Sequence, residues 1–384
     1  MGEIQAEVSE SFVVGGYIEA ESLQKVPQES DGQPLFADPM IAPFVTCGNT
    51  PPVGNASAVS GMLKVADLNA KQLDGTGVAV AIMDTGINLA HLSARLPGVR
   101  IDAMNSWTPA GSTTLPGKHS VHHGTMCAYD VLVAAPNATL LDFPVLGVDA
   151  PGGAAMSGTL GTALQAFAYL VANWAVAFAP GGTAKYNALV VNNSWGMFHP
   201  SWDFPLGHPG RYCDNPNHPF NMLVTALARS GADILFAAGN CGSQCPDNRC
   251  QGRVTETIMG ANAHPDVLTI AGCDTRNNRV GYSSQGPSIA AMPQKKPDLT
   301  AYTHFLGSEA FGSGTPDSGT SAACPIAAGC VAALRTRLPP QTTPPVNLFS
   351  QLRSTALPVP QIGWNADYGH GIIDPLAAAQ SLGL

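Results

Sequence analysis

Five short, continuous apolar runs constrain this chain more than any other feature. They are VAVAIM (78–83), TLLDFPVL (139–146), ALVVNN (188–193), DILFAA (233–238) and VLTIAG (267–272). A strand with one wet face alternates apolar and polar residues, whereas a strand covered on both faces reads as one apolar run. Between the runs lie segments of helical pattern at 123–134, 157–179 and 219–230. A further apolar helix is expected from Thr320 to about Leu338, and PLAAAQSL closes the chain. Buried strands alternating with helices specify an α/β fold: a mostly parallel central sheet with helices on both faces, in three layers.

The alternation begins near Gly61, and no internal repeat is present. Residues 1–60 carry turn-rich text such as QKVPQESDGQPLFADP, which reads as an extended arm. The Pro-rich patch LPPQTTPPVN (338–347) is too short to join two large domains. The expected organisation is therefore an N-terminal extension, 1–60, and one catalytic-size domain, 61–384. Net charge is −9 with only 18 Lys and Arg and no basic run, which argues against nucleic acid as the main partner. No charged residue occurs between Asp149 and Lys185. Thr162, Gln165 and Asn173 within that span, and the lack of flanking basic anchors, favour a long core helix over a membrane span. The first residues, MGEIQAEVSESFVVGG, are acidic where a secretion signal is basic. The location is unassigned on this reading and leans cytoplasmic.

Three segments carry chemistry. AIMDTGIN places Asp84 at the end of the first buried run, HHGTMCA places His123 at the start of a helix, and SGTSAACPIAAG places Ser321 at the start of another. Sites in open α/β sheets form at the carboxyl ends of strands and at helix N-termini. A serine hydroxyl is a poor nucleophile until a base takes its proton. A histidine can do so near neutral pH, and a carboxylate holds its tautomer. The developing oxyanion then needs donors. FAAGNCG supplies Asn240 just past a strand end, where its amide could pair with the Ser321 backbone N–H.

The order Asp, His, Ser, with the motifs DTG, HGT, AAGN and GTSxxxP, resembles the subtilisin-like serine proteases, the subtilases. NNSWG (192–196), GYSSQGP (281–287), KPDLTAY (296–302) and GIIDPLAAA (371–379) extend the resemblance over roughly Val65 to Leu382. It implies that Asp84 is the orienting acid, His123 the general base, Ser321 the nucleophile and Asn240 the oxyanion donor. It further implies that Ser194, Trp195 and Gly196 pair with an extended peptide or protein substrate, and that this strand and Gly239 wall the pocket. The implied activity is a serine endopeptidase working through an acyl-enzyme. A peptide ligase, a macrocyclase or a processing protease on the same scaffold is the alternative, and an inactive peptide-binding pseudoprotease a remote one.

The sequence departs from the family pattern in places. Ala322 stands where Met is usual and Ile326 where His is usual, so no oxidisable sulfur directly follows Ser321. The helix after HGT runs straight into APNATLL, so no strong calcium site is expected there. No metal, cofactor or membrane partner is expected, and the segment before Asp84 shows no clear match to the family's usual folded pro-domain.

Several residues have blander or rival readings. His122 is the decoy beside His123. His208 and His218 lie in a Pro-rich insertion that could border the cleft. Asp84-Thr85-Gly86 and Asp317-Ser318-Gly319 both fit the D-[ST]-G pattern of an aspartic protease, but GSGTP precedes the second copy where an apolar strand is needed. Among nine cysteines, Cys241, Cys245 and Cys250 cluster after Asn240, with Cys213 earlier. Disulfides, free thiols and a metal site all remain open for this group, and an odd count leaves at least one thiol free. Cys127 lies behind the base on its helix, and Cys324 reads as a packed helix residue.

Overall fold

The computed structural model describes residues 15–16, 20–30, 32–43, 50–147, 158–177, 185–360 and 362–384. A small antiparallel ribbon, β1 (Glu29–Ser30) and β2 (Gln33–Pro34), precedes β3 (Met40–Pro43). Helices α1 (Ala56–Met62) and α2 (Val65–Ala70) lead into β4 (Val78–Asp84), α3 (Leu89–Ser93) and β5 (Arg100–Ile101). Then come α4 (His123–Ala134), β6 (Thr139–Pro144), β7 (Gly158–Thr159), α5 (Leu160–Ala177), β8 (Ala188–Asn193) and β9 (Trp195–Gly196). The chain closes with α6 (Pro219–Arg229), β10 (Asp233–Ala237), β11 (Leu268–Cys273), β12 (Leu299–Tyr302), α7 (Thr320–Arg335), α8 (Pro345–Thr355) and α9 (Pro375–Ser381).

The main sheet has seven strands in the order β12-β11-β10-β8-β4-β6-β5, all paired in parallel. All five apolar runs of the sequence lie in it. Its two faces bury alternate residues of each strand. Val78, Val80 and Ile82 of β4 pack with α4 and α7, while Ala79, Ala81 and Met83 pack with residues of α5 and α6. This is the three-layer α/β arrangement with helices on both faces. From β4 the chain first builds outward through β5 and β6, then crosses to β8 and continues to β12. The direction of building thus reverses between β4 and β8, and the carboxyl ends of those two strands flank a topological switch point.

Two helices answer differently from their sequences. α5 covers the charge-free span, but its side chains bury one stripe: Leu160, Ala163, Ala166, Phe167, Leu170 and Trp174. Gln165 and Asn173 are exposed and Leu164 and Tyr169 only half-buried, so its large residues do not all reach the core. Phe178 and the expected ends of that helix at 157 and 178–179 lie outside the described residues. Among the described residues no helix is long and apolar enough to cross a membrane. The helix buried on every side is α7, all of whose residues are inaccessible. A Cβ at Gly329 would stand 2.3 Å from the Val131 carbonyl, so α7 and α4 cross at a separation that only glycine permits. At its far end Arg335 meets Asp233 of β10 through Nε–Oδ2 at 2.5 Å and Nη2–Oδ1 at 2.7 Å, both side chains fully buried. This bidentate pair fixes the helix against the sheet.

Candidate active site

Asp84 ends β4 with no solvent exposure, and its carboxylate faces the first residue of α4. His123 Nδ1 lies 2.8 Å from Asp84 Oδ1 and 2.9 Å from Oδ2. The loop after Asp84 is tied to the same helix by Thr85 Oγ1, which accepts the Gly124 N–H at 2.9 Å. The motif HGT needs its glycine for space. A Cβ at Gly124 would sit 2.5 Å from the Gly86 carbonyl and 3.2 Å from the Asp84 Cβ. Gly124→Ala is therefore expected to push α4 away from β4. Stability should fall by about 1–3 kcal/mol, the usual cost of overpacking. Displacing the imidazole should lower kcat at least ~10-fold, since a shift near 1 Å can cost ~10². Thermal unfolding and steady-state kinetics on one preparation check both.

Ser321 is the second residue of α7 and is fully buried. Its helix carries Pro325, four residues on. Proline has no N–H to offer the carbonyl one turn back. The Ser321 carbonyl instead accepts Ser194 Oγ at 2.9 Å and faces Cys127 Sγ at 3.5 Å. The Ser321 hydroxyl donates to the Ser194 carbonyl at 2.9 Å, so the two serines exchange hydrogen bonds. Cys127 Sγ also lies 3.6 Å from Asp84 Oδ2 and 3.7 Å from His123 Nδ1. One buried sulfur thus touches the acid, the base and the serine that the sequence singled out. Burial and the Asp84 charge push the Cys127 thiol well up, which keeps it protonated and unreactive. His123 Nε2 is buried without a hydrogen-bond partner. Asp84, His123 and Cys127 bring one ligand atom each within 4.8 Å of one another, the only such group among the described residues.

Asn240 follows β10 and is fully buried. Its Oδ1 accepts the Thr320 N–H at 3.0 Å and faces Thr320 Oγ1 at 3.2 Å. With Oδ1 committed there, the donor end of the amide is Nδ2. The Gly239 N–H donates to Thr320 Oγ1 at 3.0 Å, and its carbonyl accepts Ser284 N–H at 2.9 Å. Gly239 therefore ties β10 to α7. Thr320 and Ser194 join these contacts, though sequence reasoning had given neither a part in the nucleophile's geometry. The hydroxyls beside Ser321 in GTS and in NNS were the available signals. Ser194 lies beside Ser321, and the next residue, Trp195 of β9, has its ring buried in the core, edge-on to Phe236 with centroids 5.3 Å apart.

The rival readings resolve on geometry. His122 precedes α4 and meets Phe311 edge-on, with centroids 5.6 Å apart, while His123 takes both oxygens of Asp84. His218 caps α6 by accepting the Phe220 N–H, and its Nε2 lies 2.9 Å from the Ala37 carbonyl. Burial lowers its pKa to about 4, so it is a neutral structural group. His208 Nε2 lies 3.0 Å from the Pro27 carbonyl. Both histidines hold the N-terminal segment. The two D-[ST]-G aspartates do not share a proton: Asp84 faces His123, whereas Asp317 faces Asp130 and accepts Ser308 N–H and Oγ at 2.5 Å each. Cys241 and Cys250 form a disulfide and Cys245 is disulfide-bonded too, so the cluster after Asn240 is oxidised. Cys213 is a buried free thiol and stands apart from that cluster, as Cys127, Cys273, Cys324 and Cys330 do.

Asp130 of α4 is a buried acid whose carboxyl faces that of Asp317. Burial, the charge of Asp317 and a hydrogen bond between the two carboxyls raise its pKa well above the usual range. Asp317 itself is pushed up to about 6 by burial. An acid whose folded pKa is raised binds its proton more tightly in the fold than in the unfolded chain. Its penalty is absent below the unfolded value, near 4, and grows as pH rises toward the folded one. Asp130→Asn should therefore raise Tm at pH 8 and leave it unchanged near pH 4. Calorimetry at the two pH values checks the difference.

The acid–imidazole pair, the serine at a helix start and the amide beside it together make up the candidate active site on this parallel α/β fold. The family model described as the subtilase family matches residues 75–371, and the chain belongs to that family. It is 27% identical to Subtilisin DY of Bacillus licheniformis over 327 residues, covering 83% of this chain and 97% of that relative. It is 25% identical to Subtilisin E of Bacillus subtilis (strain 168) over 320 residues, 83% of this chain and 70% of the relative. A protein named Calcium-dependent protease of Trichormus variabilis is 28% identical over 294 residues, 70% of this chain but 40% of its own length. The chain is thus a serine-type peptidase by family.

Proposed function

We propose that the chain hydrolyses internal peptide bonds through Ser321, His123, Asp84 and Asn240 by way of an acyl-enzyme. The observation that carries this reading is the pair of contacts, 2.8 and 2.9 Å, between His123 Nδ1 and the two oxygens of the buried Asp84 carboxylate. That geometry holds the imidazole with its proton on Nδ1 and leaves Nε2 as the base. For reaction the Ser321 hydroxyl has to leave the Ser194 carbonyl, to which it donates at 2.9 Å, and meet Nε2. Nε2 takes the hydroxyl proton as Oγ attacks the substrate carbonyl. The buried Asp84 charge stabilises the imidazolium that forms. The Asn240 Nδ2 donors, oriented by Thr320, and the Ser321 N–H stabilise the oxyanion. The imidazolium then protonates the leaving amine. A water deprotonated by His123 attacks the acyl-enzyme and returns Ser321 to its starting state.

The substrate is an extended peptide, which adds as a strand to the edge at Ser194, Trp195 and Gly196. Mass analysis of the products of a peptide with a free N-terminal amine tests the hydrolytic outcome. Products heavier by one water support hydrolysis, and head-to-tail joined products overturn it in favour of ligation.

A further inference from the structure

Two buried carboxyls join the segments that carry the base and the nucleophile. Asp130 follows His123 on α4 by two turns, about 10 Å further along the same helix face. Asp317 stands in the segment that leads into α7, one helical turn's worth of residues before Ser321. Asp130 is 0% and Asp317 1% exposed, and the two carboxyls face each other.

Asp317 is fixed on its other sides. Its N–H donates to the Phe305 carbonyl at 2.8 Å, and its own carbonyl accepts the His304 N–H at 2.8 Å. Its Oδ2 accepts the Ser308 N–H and its Oδ1 the Ser308 hydroxyl, at 2.5 Å each. A donor on each oxygen suits an ionised carboxylate. Among the described residues no N–H or hydroxyl donates to Asp130. The proton that two buried carboxyls share therefore sits on Asp130 and points toward Asp317. Little else nearby could neutralise a second charge. Tyr129 of α4 and Glu309 also face the pair, and the cation on that side, Arg95, is taken by Glu309 at 2.8 Å. His91 of α3 has its Nε2 2.7 Å from the Ser308 carbonyl. Cys127, one turn back on α4, holds a protonated thiol. Of the other helices packed on α4, α1 carries no charged residue and α7 only Arg335, at its far end.

Resting on the peptidase reading above, we propose that Asp130 is a positioning residue, which ties the helix of His123 to the segment that presents Ser321 through the proton it shares with Asp317. Loss of that proton leaves two like charges buried face to face, where low dielectric makes them repel strongly. The helix and the Ser321 segment then part, and the hydroxyl moves away from Nε2. A shift near 1 Å can cost ~10² in turnover. The pair thus sets an alkaline limit on catalysis that the triad itself does not impose.

Asp130→Asn keeps the shape and a donor toward Asp317 but cannot ionise. The test measures kcat and KM on a chromogenic peptide for the unaltered chain and for Asp130→Asn, below Tm, with folding followed by circular dichroism. Between about pH 8 and pH 10 the unaltered chain should lose at least ~10-fold in kcat at nearly constant KM, while Asp130→Asn holds its value. A residue that served folding alone would move Tm and leave the pH profile of the folded enzyme as it was. Matching profiles in the two chains overturn the proposal. A second readout needs no variant. Infrared spectra of the unaltered chain should show the C=O stretch of a protonated carboxyl near pH 8, fading over the same pH interval as kcat. Absence of that band, or a band that persists while kcat falls, overturns the proposal as well. Failure of the peptidase reading looks different: hydrolysis that persists after Ser321→Ala, whatever stands at position 130.

Discussion

Ser321→Ala will lower kcat by roughly 10⁶, the magnitude found for the corresponding change in subtilisin, and leave KM nearly unchanged. The substitution removes one oxygen. The amide donors that would hold the oxyanion remain, so a residual rate above the uncatalysed one should persist. No neighbour replaces the lost nucleophile. Cys127 Sγ lies 3.5 Å from the Ser321 carbonyl, but burial and the Asp84 charge hold its thiol protonated. The Ser194 carbonyl loses one donor, at 2.9 Å, worth about 1 kcal/mol of stability. Tm should therefore fall only slightly while turnover collapses. Initial rates on a chromogenic peptide, with thermal unfolding on the same samples, separate the two effects. A loss smaller than ~10-fold would contradict a role for Ser321 as nucleophile.

The second large effect is expected at Asn240. Truncation to alanine should cost ~10²–10³ in kcat with little change in KM, because the oxyanion exists only on the way to the acyl-enzyme. That magnitude is also subtilisin's. Asn240→Ala does two things, however: it removes the Nδ2 donor, and it orphans the Thr320 N–H that Oδ1 accepts at 3.0 Å. Asn240→Asp separates them. A carboxylate keeps both acceptor contacts with Thr320, at a helix N-terminus that favours negative charge. It offers no donor and repels the oxyanion. Asn240→Asp should then lose at least as much kcat as Asn240→Ala while holding a higher Tm. A variant with unchanged kcat would remove Asn240 from the mechanism.

What the sequence reveals here is local pattern, and what it hides is pairing across long separations. Helix 123–134 and strand 188–193 carry their limits in the text, because apolar runs and the HG step mark where burial begins. Asp84, His123 and Ser321 stand out as candidates in the sequence because each lies at or next to the end of such an element. The helix Pro345–Thr355 was not, since TTPPVN reads as a turn. Proline at the start of a helix costs nothing there, as its missing N–H would have no partner. The role of Pro325 was equally hidden: the consequence of its missing N–H appears only once Ser194 is beside Ser321. Nothing in MIAP distinguishes a strand from the turn-rich text around it. β3 exists because two edges, near residues 158 and 196, leave room for it. The Arg335–Asp233 pair joins residues 102 apart, and no local signal couples them.

The account stands on Ser321 being activated by the His123–Asp84 pair, and one measurement addresses that directly. The intact chain is treated with a serine-directed fluorophosphonate, peptidase activity is followed, and the adduct is located by peptide mapping. The account predicts a single adduct on Ser321, formed in step with loss of activity, and no adduct in a His123→Ala variant. Activity lost without modification of Ser321, or equal labelling after His123→Ala, would contradict it.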